Sequence, residues 1–279
     1  MKFSFFTYVC NPLKTNKIHI SIRMKNITLI SDWKLRDPYV AMFKGQLLKA
    51  IPDANIIDIS HAIECFNVAQ TAFILKNSYS SFPENTIHII LTGTSLSHKS
   101  MPVVVRFDNQ FFIGEDNGIF SLMFGDDDQP EAFVYNQTDE NSNILDKCIL
   151  MAKAILSDKL KKVVDPYPQW VKKLQFMPDH NEQNRLITGQ IAYIDSCCNA
   201  ITNIPIDMFR KIVKSGSFTV NFSMSKHIKV THYQDFYNPN EHEVYMIGNR
   251  LGFLELTINR GHLAVLADLN VGDKIEIRY

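Results

Sequence analysis

The sequence predicts a two-domain α/β protein: an N-terminal α/β domain with a mostly parallel sheet and flanking helices, then a smaller all-β, barrel-like C-terminal domain. Three observations predict it. In the first third of the chain, β-branched runs alternate with apolar residues at helical spacing over short connections, the pattern of a parallel sheet covered by helices. Beyond residue 186 the chain reads almost wholly as short strands and turns. A chain of 279 residues is also long enough for a main domain plus a small one.

The first strand is expected at residues 26–31, bounded by Asp32. A helix follows at residues 39–50, with Val40, Phe43, Leu47 and Leu48 at helical spacing, ending at Ile51-Pro52. Residues 54–59 form the second strand and 67–78 the second helix; Phe82-Pro83-Glu84-Asn85 then turns the chain into a strand at 86–91. The pattern becomes antiparallel at residues 102–107 and 110–114, joined at Asp108-Asn109, and residues 144–160 are helical again. Residues 165–185, rich in proline and without a clean period, read as a linker between a domain at 24–164 and one at 186–279. In the second, strands are expected at 189–194, 217–224, 243–247, 251–258 and 274–279.

Composition narrows the function. Hydrophobic content of 46% with 21% charged residues is that of a soluble globular chain. With 29 basic and 29 acidic residues there is no electrostatic footprint for nucleic acid. No run approaches the roughly 20 apolar residues a membrane-spanning helix requires. The five cysteines, Cys10, Cys65, Cys148, Cys197 and Cys198, show neither a disulfide framework nor a zinc spacing, which points to a reducing, cytoplasmic setting. Residues 1–23 are apolar at the start and then basic, without a small-residue cleavage site, and read as an extension upstream of Met24.

In parallel sheets ligands bind beyond the carboxyl ends of the strands. Two such ends carry acids, Asp32 after the first strand and Asp58 within the second. Around them lie Ser31-Asp32, Asp37-Pro38-Tyr39-Val40 and Lys44-Gly45; Ile56 to His61; Phe82-Pro83 to Ile89; and Gly114 to Gly118. Farther on come Tyr193-Ile194-Asp195 to Asn199 with Thr202-Asn203-Ile204, and Gly252 to Glu255 with Gly261 and Gly272-Asp273. In order and spacing these motifs resemble those of the S-adenosylmethionine (SAM) hydroxide adenosyltransferase and fluorinase/chlorinase family, from Met24 onward.

That resemblance implies a homotrimer with SAM held at the subunit interface, between one α/β domain and a neighbour's β domain. The reaction it implies is displacement at ribose C5′ by water or a halide, with methionine leaving. SAM is then the substrate, and no cofactor or metal is expected. Carried over residue by residue, Asp32 binds the ribose diol, Asp195 the methionine ammonium and Asn199 the adenine edge. Trp33, Tyr39, Phe66, Thr92 and Asn117 complete the expected substrate-binding set, with Arg250, standing where the family uses a serine, able to grip the methionine carboxylate. Asp58 is expected to handle water with a set that replaces the family's own, Ser95 and His98 or Lys99. The residue types suit these tasks, because a carboxylate accepts from a diol or an ammonium and an amide reads a base edge. Methionine leaves as a neutral thioether, so no general acid is needed, and catalysis is positioning plus desolvation of the nucleophile.

Plainer local readings stand beside these. Asp32 is also a natural helix N-cap, Asp195-Ser196 a hairpin turn and Asp116-Asn117-Gly118 a turn. Trp33 packs over adenosine or covers the sheet edge. Asp58 with His61 is a poor metal site, having no third ligand, so His61 reads as a satisfied partner at the strand end. Cys197-Cys198 reads as small buried residues, because adjacent cysteines rarely close a strain-free disulfide. The chain also departs from the resembled pattern. The arginine that the family places seven residues after the strand-end aspartate is Cys65 here, and residues 92–99 form a rewritten, polar loop. Two functions follow: a SAM hydrolase releasing adenosine, or a SAM/adenosine-binding paralogue without turnover.

Overall fold

The computed structural model describes residues 25–95, 97, 99–125, 128–137, 142–169, 171–173, 176–214, 216–222, 230–234 and 243–279. The expected extension at residues 1–23 lies outside them, as does His98. The first half comprises β1 (Lys25–Ser31), α1 (Tyr39–Ala50), β2 (Ala54–Ser60), α2 (Val68–Lys76), β3 (Ile87–Leu91), β4 (Pro102–Phe107), β5 (Gln110–Glu115), α3 (Ile119–Met123), β6 (Glu131–Tyr135), α4 (Ile144–Leu156) and β7 (Val164–Pro166). Its seven strands form one sheet in the order β2-β1-β3-β5-β4-β6-β7.

The expectation of a mostly parallel sheet needs correction, because the sheet is mixed. β2, β1, β3 and β5 run parallel. β4, β6 and β7 extend the sheet antiparallel. The hinge of this change is the β4–β5 hairpin, whose two connecting residues, Asp108 (φ 50) and Asn109 (φ 56), are both left-handed. A two-residue turn of that kind can only join antiparallel neighbours.

Side-chain alternation along the strands separates two faces. Ile27 and Leu29 of β1 and Ile87 and Ile89 of β3 pack with Phe43 and Leu47 of α1 and Cys148 and Met151 of α4. Ile30 of β1 and Ile90 of β3 turn the other way, against Ala72 and Leu75 of α2 and Phe120 and Met123 of α3. The result is a sheet between two helical layers, its four parallel carboxyl ends along one edge.

The second half comprises β8 (Asp179–Asn181), β9 (Leu186–Ile194), β10 (Ala200–Pro205), α5 (Ile206–Val213), β11 (Thr219–Phe222), β12 (Tyr233–Gln234), β13 (Val244–Gly248), β14 (Phe253–Ile258), α6 (Leu263–Leu266) and β15 (Lys274–Arg278). Its sheet runs β11-β15-β9-β10-β14-β13-β12, with β8 on β9. The domain is therefore not all-β. α5 buries Phe209 and Val213, with Asp207 in its first turn and Arg210 and Lys211 in its last, each sign placed where the helix dipole favours it. The sheet curls around one apolar core, and among the described residues its path is open at β11 and β12 rather than closed into a barrel. The segment expected to be a plain linker supplies β7 to the first sheet and β8 to the second. The halves meet where Phe73 of α2 stacks on Tyr193 of β9, ring centres 5.0 Å apart, with Phe253 of β14 at 6.2 Å.

Candidate functional site

The carboxyl ends of the parallel strands bring the predicted acids together. Asp32, just past β1, is buried, and its Oδ2 accepts from the backbone N–H of Phe66 (2.8 Å) and of Gly93 (3.1 Å). These donors come from the loops after β2 and β3, the neighbours of β1 on either side. Both lie at left-handed residues, Phe66 with φ 62 and Gly93 with φ 62, which aims their amides inward. A carboxylate held through one oxygen by two amides keeps the other oxygen for a ligand donor.

Next to it a second chain of contacts runs inward. Lys44 of α1 donates to Asp58 Oδ2 at 2.6 Å, and His61 Nε2 lies 3.1 Å from Asp58 Oδ1 without the alignment of a hydrogen bond. The other ring nitrogen, Nδ1, is 2.6 Å from Ser31 Oγ, one residue before Asp32. Partial burial disfavours the Asp58 carboxylate, but the hydrogen bond from Lys44 and the closeness of His61 outweigh it and hold the carboxyl below its ordinary range. His61 is thus a buried strand-end residue paired at Nδ1 with Ser31, while its Nε2 has no hydrogen-bond partner among the described residues. The cation at Asp58 is Lys44; Cys65 Sγ instead lies 4.0 Å from the backbone oxygen of Asp32.

The rewritten loop is fastened at several points. Thr92 is buried and accepts from Thr71 Oγ1 at 2.9 Å, while Asn117 Nδ2 donates to the Thr92 carbonyl at 2.9 Å. Ser95 N–H donates to Glu115 Oε2 at 2.6 Å. From α4, the buried Lys147 reaches the Ser100 carbonyl at 3.0 Å. Three buried oxygens close to this loop, Thr94 Oγ1, Asp116 Oδ1 and Asn117 Oδ1, have no hydrogen-bond partner among the described residues. Buried polar atoms are normally paired, so a cluster of open ones marks where a polar ligand or water belongs. The 116–121 turn is closed from outside by the connecting segment, through Tyr167 Oη and Val171 N–H on Asp116 Oδ2 and Lys173 N–H on Ser121 Oγ.

The second group sits on the β9–β10 turn. Asp195 Oδ1 accepts from the N–H of Cys197 (2.9 Å) and Asn199 (2.8 Å), and its Oδ2 from Asn199 Nδ2 (3.0 Å). Asn199 Oδ1 in turn accepts from Thr257 Oγ1 of β14 at 2.6 Å. The hairpin reading of Asp195 therefore describes its local bonds, and it leaves the turn rigid. Arg250 is exposed in the β13–β14 turn.

Of the predicted residues, Asp32, Phe66, Thr92 and Asn117 converge, with Asp58 and Ser95 at the margins. Asp195 and Asn199 form a separate group whose hydrogen bonds stay within the β domain. Trp33 packs edge-on to Tyr39 and Phe43, covering α1. Missed from sequence were the Lys44 contact, the Ser31–His61 contact, Glu115 and Thr257. Lys44 stood in a quoted motif and Glu115 beside Asp116, whereas Thr257 carries no local signal because only sheet pairing brings β14 to β10. Exposed apolar side chains flank both groups: Leu35, Tyr39, Met42 and Phe66 (77% exposed) beside Asp32, and Val265 and Leu266 (66% exposed) of α6 beside the Asp195 turn. Among the described residues no group of three or more His, Cys, Asp or Glu side chains could hold a metal ion. No helix there is long and apolar enough to cross a membrane.

Residues 27–156 match the SAM hydroxide adenosyltransferase N-terminal domain and residues 189–276 its C-terminal domain. The chain is similar to the (R)-S-adenosyl-L-methionine hydrolase of Methanocaldococcus jannaschii, 32% identical over 101 residues, 35% of this chain and 38% of that protein. It is likewise similar to the (R)-S-adenosyl-L-methionine hydrolase of Thermus thermophilus, 26% identical over 113 residues (40% and 43% of the two chains). A fluorinase from Nocardia brasiliensis is 30% identical over 80 residues, 29% of this chain and 27% of that protein. The alignments thus span less than half the length of these relatives. Among solved structures, an uncharacterized conserved protein from Thermotoga maritima superposes with a TM-score of 0.81 at 24% identity, covering 91% of this chain and 100% of that one. A conserved hypothetical protein from Thermus thermophilus gives 0.69 at 21%, covering 91% and 100%. At those identities the two structures speak for the shared fold.

Proposed function

The chain belongs to the SAM hydroxide adenosyltransferase family, and from that membership we propose that it is a SAM hydrolase: water attacks ribose C5′, the C5′–S bond breaks, and adenosine and methionine are released. The observation that carries the reading is the Asp32 carboxylate, fixed through Oδ2 by two amides at the ends of parallel strands and bordered by the open oxygens of Thr94, Asp116 and Asn117. The remaining oxygen of Asp32 takes the ribose hydroxyls, and Phe66 and Thr92 line the same place. Trp33 and Tyr39 border it on the α1 side, and Arg250 of a neighbouring copy's β domain receives the methionine carboxylate. Water is handled by Asp58, through its contact chain to Ser31, and by the loop bearing Ser95 and His98. The named hydrolase relatives support this assignment over the halide reaction.

Asp195 and Asn199 complete the site from a neighbouring copy in a homotrimer, reading the ammonium and the adenine edge. Supporting this is the matched pair of exposed apolar surfaces, one beside each half-site, of the kind that protein contacts cover. The dispersed cysteines fit work in the cytoplasm.

A second reading is a binding protein without turnover, favoured by Cys65 in place of an arginine and by the engagement of Asp58 with Lys44. Incubation with SAM decides between them. The hydrolase releases adenosine and methionine in equal amounts; SAM bound in calorimetry without adenosine establishes the second reading. Asp32→Ala is expected to abolish SAM binding, and unchanged binding would overturn the site itself.

A further inference from the structure

Four cysteines lie among the described residues, and one of them faces a base. Cys198 Sγ lies 3.4 Å from His262 Nδ1. Cys198 is half-buried at a left-handed position, φ 62, and both its backbone groups are tied: its N–H to the Asp195 carbonyl (2.9 Å) and its carbonyl to the N–H of Ala264 in α6 (2.9 Å). The backbone that carries the sulfur is therefore fixed, with an exposed imidazole in contact with the thiol. Cys65 and Cys197 are more exposed, and Cys148 is fully buried with its thiol pushed up to about 12, first by burial and then by the charge of Glu115. A thiol beside an imidazole that can accept its proton is the arrangement that makes cysteine nucleophilic near neutral pH.

We propose that Cys198 and His262 form a peroxide-sensitive modification site that controls the substrate-reading turn of Asp195 and Asn199; the control rests on the role given to that turn above. With its own proton on Nε2, His262 Nδ1 takes the thiol proton as sulfur attacks a peroxide oxygen. The O–O bond breaks, and the leaving hydroxide or alkoxide is protonated to water or alcohol. Sulfur is oxidised by two electrons to a sulfenic acid while the peroxide is reduced. Two small-molecule thiols reverse it: the first displaces water to form a mixed disulfide, the second frees the Cys198 thiol and leaves a small-molecule disulfide. The added oxygen, or the larger mixed disulfide, lands inside the five-residue turn 195–199, whose N–H groups at Cys197 and Asn199 hold Asp195.

The test labels the full chain with iodoacetamide at neutral pH and follows each cysteine by peptide mass spectrometry. Cys198 is expected to react about tenfold faster than Cys65 and Cys197, the reverse of their order of exposure, and His262→Asn to remove that lead. Equal or slower labelling of Cys198, or a lead that survives His262→Asn, overturns the site. Separately, dilute hydrogen peroxide is expected to weaken SAM binding about tenfold, reversibly with a small thiol, and Cys198→Ser to keep SAM binding and resist the peroxide. Rapid oxidation of Cys198 with unchanged SAM affinity overturns the control. Failure of the untreated protein to bind SAM counts against the hydrolase reading instead, and the labelling rates then decide the thiol site by themselves.

Discussion

Asn199 is held at both ends of its amide, by Asp195 on Nδ2 and by Thr257 on Oδ1, and it is buried. A side chain fixed this way presents its second amide hydrogen and second lone pair in one orientation, as reading a base edge requires. Thr257→Val removes the donor and keeps the shape, leaving the Asn199 carbonyl short of a partner in a buried place. The expected cost is about 1 kcal/mol in urea unfolding, with weaker SAM binding in calorimetry. Stability and affinity both equal to wild type would show that Thr257 does not set the amide. At the same scale Asp32 is decisive, since its carboxylate joins two amides from the loops on either side of β1.

At the scale of elements, β1, β3 and β5 are tied by a buried polar string on the α2 side of the sheet. Thr28 Oγ1 contacts His88 Nδ1 at 2.7 Å, and His88 Nε2 contacts Gln110 Oε1 at 2.6 Å, with the ring stacked 4.8 Å from Phe112. Burial pushes the imidazole down from 6.5 to about 4, against the smaller opposing effect of the Gln110 hydrogen bond. Above pH 6.5 the ring is neutral in folded and unfolded chains alike, and it costs nothing. Between pH 6.5 and about 4 only the unfolded chain takes up the proton, so stability falls with pH, by about 3 kcal/mol over the window. Urea unfolding between pH 7 and 4 should therefore be steeper in pH for the wild type than for His88→Gln. Equal slopes would show that His88 does not contribute.

At the scale of the whole molecule, the two candidate half-sites lie in different domains, each bordered by exposed apolar residues. Light scattering is expected to give three times the chain mass. Leu266→Asp, on the exposed face of α6, should reduce it to the chain mass and abolish adenosine release while leaving the circular dichroism unchanged. Adenosine release by a fully monomeric variant would refute a site shared between copies.

Much of this was written locally. The β-branched strands, the first two helices, the Asp108-Asn109 hairpin, the acid at the end of β1 and the turn at Asp195 follow from side-chain period and turn chemistry, which act over a few residues. Sequence alone did not find α5 or α6. Nor did it find strand pairing by the supposed linker, because such short segments take their structure from the partner they pack against. The mixed character of the sheet was half visible: the antiparallel hairpin was legible, but the insertion of β5 between β3 and β4 was not. Lys44 on Asp58, Thr257 on Asn199 and His262 on Cys198 were hidden for the same reason. Each pair is 14 or more residues apart, and only the folded sheets and the helices packed on them bring the partners within bonding distance. The sequence by itself determined the family motifs and their place at strand ends. The tertiary structure decided which partners hold them, because hydrogen bonding depends on distance in space and local pattern reports only distance along the chain.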